Sequence, residues 1–303
     1  MRRKLVRGLL FGAVCAGLAA VLSPRGGSLQ DGLEQAGESA RDFQRLAFWA
    51  LGWPLTGTPD LSRLEQRLAE KEVARGAPVF VRIFKREHEL ELWMRKKQSF
   101  VLFAVYPICR FSGRLGPKLR AGDHQAPEGF YTVSRGQLNP HSRWRRAFNV
   151  GYPNAFDRAH GRTGSYIMVH GGCSSIGCYA MTNRVIEEIW DLIVAALDNG
   201  QKRFAVHVFP FRMTDDRLAR RASSSWIEFW SDLKRGYDLF EQTRVPPRVS
   251  VCRGRYVVSP GIAGGDGAES VRAVCQKAVH RRAQTPASAA RGPGPAGALG
   301  DAG

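Results

Sequence analysis

The chain has 303 residues, 44 % of them hydrophobic and 24 % charged, enough to bury a substantial core in one or two domains. Its formal net charge of +18 suits anionic partners: nucleic acid, anionic lipid or an anionic polymer. The basic residues are scattered and no zinc-finger, RNP-like or helix-turn-helix signature accompanies them, so no nucleic-acid partner is expected.

In chain order, Arg2, Arg3, Lys4 and Arg7 precede an apolar run from Gly8 to Leu22. That is a basic region followed by a hydrophobic one, with the small residues Gly17 and Ala19 around a cut. The run is shorter than the ~20 residues of a membrane span. Residues 1–23 therefore read as a signal peptide, with an uncleaved inner-membrane anchor as the second reading. Cys15 lacks a good lipobox, and Arg2-Arg3 raises twin-arginine export. Residues 24–77 read as a helical lead-in. Phe43, Leu46, Ala47, Trp49 and Ala50 suggest a short amphipathic helix ended by Gly52 and Pro54. Asp60 caps a second, with Leu61, Leu64 and Leu68 on one face and Gly76 and Pro78 as the stop.

Residues 78–212 read as the main domain. Val79–Phe84 and Glu89–Met94 have strand character, with a turn at His88. The more continuous apolar run from Phe100 to Cys109 predicts a third strand, central in its sheet. Gly113 to Gln125 is a loop, and Phe130–Val133 a strand after the turn Ala126-Pro127-Glu128-Gly129. Asn139 to Gly164 lacks a regular pattern. Its Arg143, Trp144, Arg145 and Arg146 read either as a substrate-binding wall or as a solvated arginine face. Val185, Ile189, Leu192, Ile193, Ala196 and Leu197 line a helix that Gly200 ends. Phe204–Phe209 is a strand in which His207 is a strand residue. Residues 213–259 form a C-terminal extension. A helix from Asp215 to about Phe240 carries a core stripe of Trp226, Phe229, Trp230, Leu233, Tyr237 and Phe240, and Arg255–Val258 add a strand. From residue 260 to 303 the chain turns to glycine, alanine, proline and arginine and reads as a disordered tail.

The chemistry concentrates at Val169-His170-Gly171-Gly172-Cys173-Ser174-Ser175-Ile176-Gly177-Cys178, between a buried strand and a helix start. Cysteine attacks as its thiolate, an imidazole can take the proton, and a following helix N-terminus favours the anion. Cys178 and His170 supply the pair, the helix near Asn183 the dipole, and a depressed thiol pKa is expected. The amides of Gly177 and Cys178 are the candidates for an oxyanion hole. Two alternatives stay open: a structural metal site on His170, Cys173 and Cys178, and two buried structural residues.

The full string is more specific than the pair. His170-Gly171 with Ser175-Ile176-Gly177-Cys178 resembles the signature of the L,D-transpeptidase catalytic domain (YkuD-type). The longer form through Tyr179-Ala180-Met181-Thr182 is similar to the YafK-like murein L,D-transpeptidase subgroup. The likeness runs from about Arg75 to about Tyr256 and takes in Ala126–Tyr131, Gly151–Asn154 and Ala159–Ser165. Typical family members carry histidine where Ile176 stands and a longer insert before the cysteine; the short insert goes with the YafK-like subgroup.

The resemblance implies an α+β fold: a β-rich domain of mixed β-sheets with packed helices. It implies Cys178 and His170 as catalytic residues and Gly171, Ser175, Tyr152 and Arg162 as substrate-binding ones. It implies no cofactor and no metal. The reaction the resemblance implies is acyl transfer or hydrolysis on peptidoglycan stem peptides in the periplasm, and the YafK-like subgroup adds release of a wall-attached outer-membrane lipoprotein from diaminopimelate as an expectation. The alternative is a non-catalytic peptidoglycan-binding protein. With Cys15 set aside, five cysteines remain, which fits one free thiol plus bridges. Which of them bridge is not readable from the sequence; Cys109 with Cys252 is one candidate pairing.

Overall fold

The structure is a computed structural model that describes residues 41–265 and 268–275. Residues 41–50 are helical, followed by a short 3-10 turn Leu61–Arg63 and helix α1 (Leu64–Lys71). Asp60 caps that turn, its carboxylate accepting from the Ser62 amide at 3.0 Å. The helix stops at Lys71, before Gly76, because Glu72 turns left-handed and closes two carbonyls. Among the described residues no helix is long and apolar enough to cross a membrane. The expected leader at residues 1–23 lies outside the described residues.

Strands β1 (Val79–Phe84), β2 (Glu89–Lys96), β3 (Ser99–Pro107), β5 (Gly129–Ser134) and β10 (Arg203–Phe209) form one mixed sheet in the order β3-β2-β1-β10-β5. Only β1 and β10 run parallel. Both faces are covered, which is why β1 is buried at every residue. Val79, Val81 and Ile83 face the 16-residue helix α3 (Asn183–Asp198). Phe80 and Phe84 face α5 (Ile227–Thr243), through Phe240 and Trp230 among others. A second sheet joins β4 (Arg110–Phe111), β6 (Leu138–Ser142), β7 (Arg145–Asn149), β8 (Met168–His170) and β9 (Tyr179–Ala180) in the order β4-β9-β8-β7-β6. It shares the core of α3 through Phe148, Val169 and Tyr179. The α+β class and its mixed sheets are as expected.

Several local expectations are corrected. Strand β3 lies at the edge of its sheet. Its apolar run reflects cover on both faces: Phe103 packs into the core that contains Leu68 of α1, and Leu102 into the one built on Phe240. The patternless stretch Asn139–Gly164 contains most of the β6–β7 hairpin and the short helix α2 (Ala155–Ala159). Solvent faces β6, so no alternation marks it. The helix from Asp215 is broken: α4 ends at Ala219 and α5 begins at Ile227. The intervening serines compete for the backbone, with Ser224 Oγ accepting from the Trp226 amide at 3.2 Å.

The tail is ordered further than expected. A third sheet, β12-β11-β13, pairs β11 (Arg248–Cys252) with β12 (Arg255–Ser259) and β13 (Arg272–Ala273). Cys275 is bridged to Cys252, and Cys109 to Cys173, which replaces the candidate Cys109–Cys252 pairing. Cys109 packs with Cys173 under Leu55, and Cys252 ends β11, the strand that pairs with β13 just before Cys275.

Candidate active site

His170 ends β8 and Cys178 immediately precedes β9. The strands are parallel, with Val169 opposite Tyr179 and His170 opposite Ala180. Cys178 thus falls beside Met168, and alternation turns it to the same face as His170. Parallel neighbours usually need a crossover of a dozen or more residues; here residues 171–178 suffice because the loop doubles back on itself. Gly172 (φ 89°) and Gly177 (φ 140°) adopt backbone that side chains disfavour. A Cβ on Gly171 would stand 2.7 Å from Asn183 Oδ1 and 2.9 Å from the Trp144 carbonyl. Three hydrogen bonds hold the loop: Gly171 N to Trp144 O at 3.0 Å, Cys173 N to Met181 O at 3.3 Å and Met181 N to His170 O at 2.7 Å. The bridge from Cys173 to Cys109 fixes it from outside, under Leu55.

His170 is buried, with Nδ1 2.5 Å from the Gly171 carbonyl. A carbonyl oxygen only accepts, so Nδ1 carries the proton and Nε2 keeps its lone pair. Burial lowers the imidazole pKa, opposed by that hydrogen bond, and the ring is neutral at neutral pH. Cys178 is the free thiol among the described residues and is half-buried. Its sulfur accepts from the Met168 amide at 3.3 Å and reaches the Tyr166 carbonyl at 3.8 Å. Burial raises the thiol pKa, and the Met168 amide and the Lys118 ammonium only partly offset this. The expected depression is therefore corrected. Strand β9 lies between Cys178 and α3 in sequence, and the first turn of α3 is capped by Thr182, whose side chain accepts from the Val185 amide.

Both side chains open into a cleft of about 650 Å3. Arg143 brings positive charge to its wall, whereas the Lys118 ammonium is buried, paired with Asp123 and donating to the Arg120 carbonyl at 2.9 Å; Trp144 lies 6.0 Å from the His170 ring, and Tyr166 and Ile176 form an exposed apolar rim. The loop carrying Lys118 is anchored from below by buried Lys85. Its ammonium donates to the carbonyls of Arg114, Gly116 and Ala126 at 2.6, 2.9 and 3.0 Å and to Glu128 at 3.0 Å.

The expected site residues separate into two groups. His170, Ser175, Gly177 and Cys178 line the cleft. Ser175 Oγ donates to the Cys178 carbonyl at 2.7 Å and accepts from the Gly177 amide at 3.2 Å, so it closes the turn. Gly171, Tyr152 and Arg162 are elsewhere. Gly171 packs against Asn183 and Trp144. Tyr152 is buried, and its hydroxyl lies 3.2 Å from the carbonyls of both Lys118 and Thr163, which share its one proton. Arg162 is buried against Asp157 at 2.8 Å, with its guanidinium over Phe156 and Phe229. The arginine cluster divides too: Arg143 and Trp144 reach the cleft, whereas Arg145 and Arg146 pair with Glu187. The metal alternative loses Cys173, whose sulfur is bonded to Cys109. Lys118 was missed because a lysine in a charged glycine-rich loop carries no spacing signal.

The L,D-transpeptidase catalytic domain family (YkuD) matches residues 78–208. The proteins named "Putative L,D-transpeptidase YafK" of Escherichia coli K12 and O157:H7 are each 53 % identical over 209 residues, 69 % of this chain and 82 % of theirs. Among solved structures, the helical cell shape determining protein Pgp2 of Campylobacter jejuni matches at 18 % identity and TM-score 0.36, over 63 % of this chain and 80 % of that one. Bd1075 of Bdellovibrio bacteriovorus matches at 24 % identity and TM-score 0.33, over 54 % and 60 %. With its HG and S-x-G-C elements at the two ends of the loop that joins β8 to β9, the chain belongs to the YkuD-type L,D-transpeptidase catalytic domain family and is similar to YafK within it.

Proposed function

We propose that this chain is a cysteine-dependent transpeptidase or peptidase acting on peptidoglycan stem peptides. The observation that carries the reading is a free thiol just before β9 and a neutral, Nδ1-protonated imidazole at the end of the neighbouring β8, open to one cleft. Cys178 Sγ attacks the scissile carbonyl while His170 Nε2 takes the thiol proton. The oxyanion is met by the Cys178 amide, because the Gly177 amide is given to Ser175 Oγ. His170 then protonates the leaving amine, and a thioester remains on Cys178. An incoming amine attacks that thioester for transpeptidation, or water for hydrolysis, with His170 again the base.

Arg143 on the cleft wall suits a substrate with free carboxylates, which stem peptides carry. The short insert before the cysteine supports hydrolysis of the bond between diaminopimelate and a lysine-linked lipoprotein as one of the reactions. Such a substrate lies outside the inner membrane, in agreement with export to the periplasm by residues 1–23.

The test is mass spectrometry of defined muropeptides incubated with the protein. Wild-type protein should shorten or exchange the stem and carry an acyl adduct on Cys178. The Cys178→Ala and His170→Ala variants should do neither. Unchanged muropeptides that still bind the wild-type chain would instead make it the non-catalytic wall-binding protein.

A further inference from the structure

The chain from residue 46 to 61 crosses the back of the catalytic loop. Leu46, Phe48 and Leu55 close over the Cys109–Cys173 bridge. Beyond them lies a second hollow of about 470 Å3, with Trp49, Trp53, Thr58 and Asp60 on one side and Asn183 and Arg184 on the other. Its volume is that of a small-molecule site, about 300–1,000 Å3.

Three features of the hollow point to a ligand. Trp49 and Trp53 stay 43 % and 54 % exposed although most large hydrophobic side chains here are buried. Two indoles left in water on the wall of a concavity mark a binding surface. Thr58 Oγ1 is buried with no hydrogen-bond partner, and a hydroxyl can both donate and accept. Asp60, Asn183 and Arg184 add acceptors and donors of both signs around the indoles.

Flat apolar faces beside a mixed polar rim suit a pyranose ring. Its C–H face packs on an indole while equatorial hydroxyl and acetamido groups reach the rim. We propose that this hollow is a glycan subsite for N-acetylhexosamine units of the strand that bears the stem peptide; the choice of sugar rests on the peptidoglycan reading above. The hollow and the catalytic loop share a wall: Asn183 lies directly behind Gly171, next to His170, and the Cys109–Cys173 bridge lies between them. A membrane surface fits less well. Tryptophans that seat in a lipid interface project outward, and the Asp60 carboxylate would face lipid phosphates.

The experiment is calorimetric titration of the purified chain with the β-1,4-linked tetramer of N-acetylglucosamine and, separately, with phosphatidylglycerol vesicles. Saturable tetramer binding is expected, weakened about tenfold or more by Trp53→Ala, a truncation at an exposed anchor. Thr58→Val, which keeps the volume and removes the hydroxyl, should weaken it as well. An unchanged thermal midpoint shows that each variant is folded, and the valine variant carries the test if the tryptophan variant is not. Cys178→Ala should bind the tetramer as the wild type does. A chain inert on muropeptides that still binds the tetramer through Trp53 defeats the catalytic reading and leaves the subsite standing. No tetramer binding by wild-type protein, or binding indifferent to both substitutions, overturns the subsite. Trp53-dependent binding to vesicles without tetramer binding overturns it in favour of a membrane-facing patch.

Discussion

Replacing Cys109 and Cys173 together by alanine separates what the bridge does for stability from what it does for the catalytic loop. The two residues are 64 apart in sequence. Cross-linking a loop of that length removes unfolded-chain entropy worth about 4 kcal/mol at 25 °C. The Cys252–Cys275 bridge spans 23 residues and is worth roughly 3.5 kcal/mol on the same scale. Loss of the first bridge should lower the urea midpoint by roughly 1.5 M, for an m-value near the upper end of the usual range. Turnover at 25 °C should stay within about threefold, because this stabilisation acts on the unfolded chain. In the folded protein, the loop keeps its hydrogen bonds from Gly171, Cys173 and Met181. Urea titration followed by tryptophan fluorescence gives the first quantity, and muropeptide turnover the second. A variant with an unchanged midpoint but no activity would refute this, since the bridge would then be positioning the loop.

Four further outcomes follow from other parts of the molecule. Iodoacetamide labelling of Cys178 should be slow at neutral pH and climb above the ordinary thiol range, because burial raises its pKa; fast labelling at pH 6 would contradict that environment. His170→Ala should slow the labelling at neutral pH, and an unchanged rate would mean that the imidazole does not reach the sulfur. Burial holds His88 and His207 at about 3, below the unfolded value near 6.5, so the unfolded chain binds more protons between those limits. Stability is then complete above about pH 6.5 and falls toward pH 3, by up to about 1.4 kcal/mol per pH unit for each histidine; His207→Phe should flatten the dependence of the urea midpoint on pH, and an unaltered slope would count against it. Deleting residues 260–303 removes β13, buried Ala268 and the Cys252–Cys275 bridge; the thermal midpoint should drop by roughly 7–14 °C, and a drop under two degrees would show that this sheet edge adds nothing.

What could be read from the sequence was what repeats or punctuates. The apolar face of α3 has helical spacing and ends at Gly200, and both features are seen. The pair His170 and Cys178 stood out because glycines flank it and strands read apolar. The edge position of β3 was not legible, since cover by elements distant in sequence makes an edge strand as apolar as a central one. Nor was the β6–β7 hairpin, whose exposed side chains carry no alternation. Tyr152 and Arg162 resembled binding residues, yet each satisfies buried groups: two carbonyls for Tyr152 and the Asp157 carboxylate for Arg162. An arginine in a family motif looks the same whether it meets a substrate or a buried aspartate. The pKa of Cys178 was misjudged because the burial that raises it comes from the folded cleft and leaves no mark in the local sequence.

The burial of Cys178 bears on how the proposed chemistry runs. Burial pushes the Cys178 thiol up and the His170 imidazole down, so the resting pair is uncharged. A preformed thiolate–imidazolium pair would place two charges where neither is well solvated. Proton transfer to Nε2 therefore accompanies attack, when the negative charge passes from sulfur to the carbonyl oxygen and the cleft amides. The Met168 amide at 3.3 Å and the Lys118 ammonium assist during that passage without holding a thiolate beforehand.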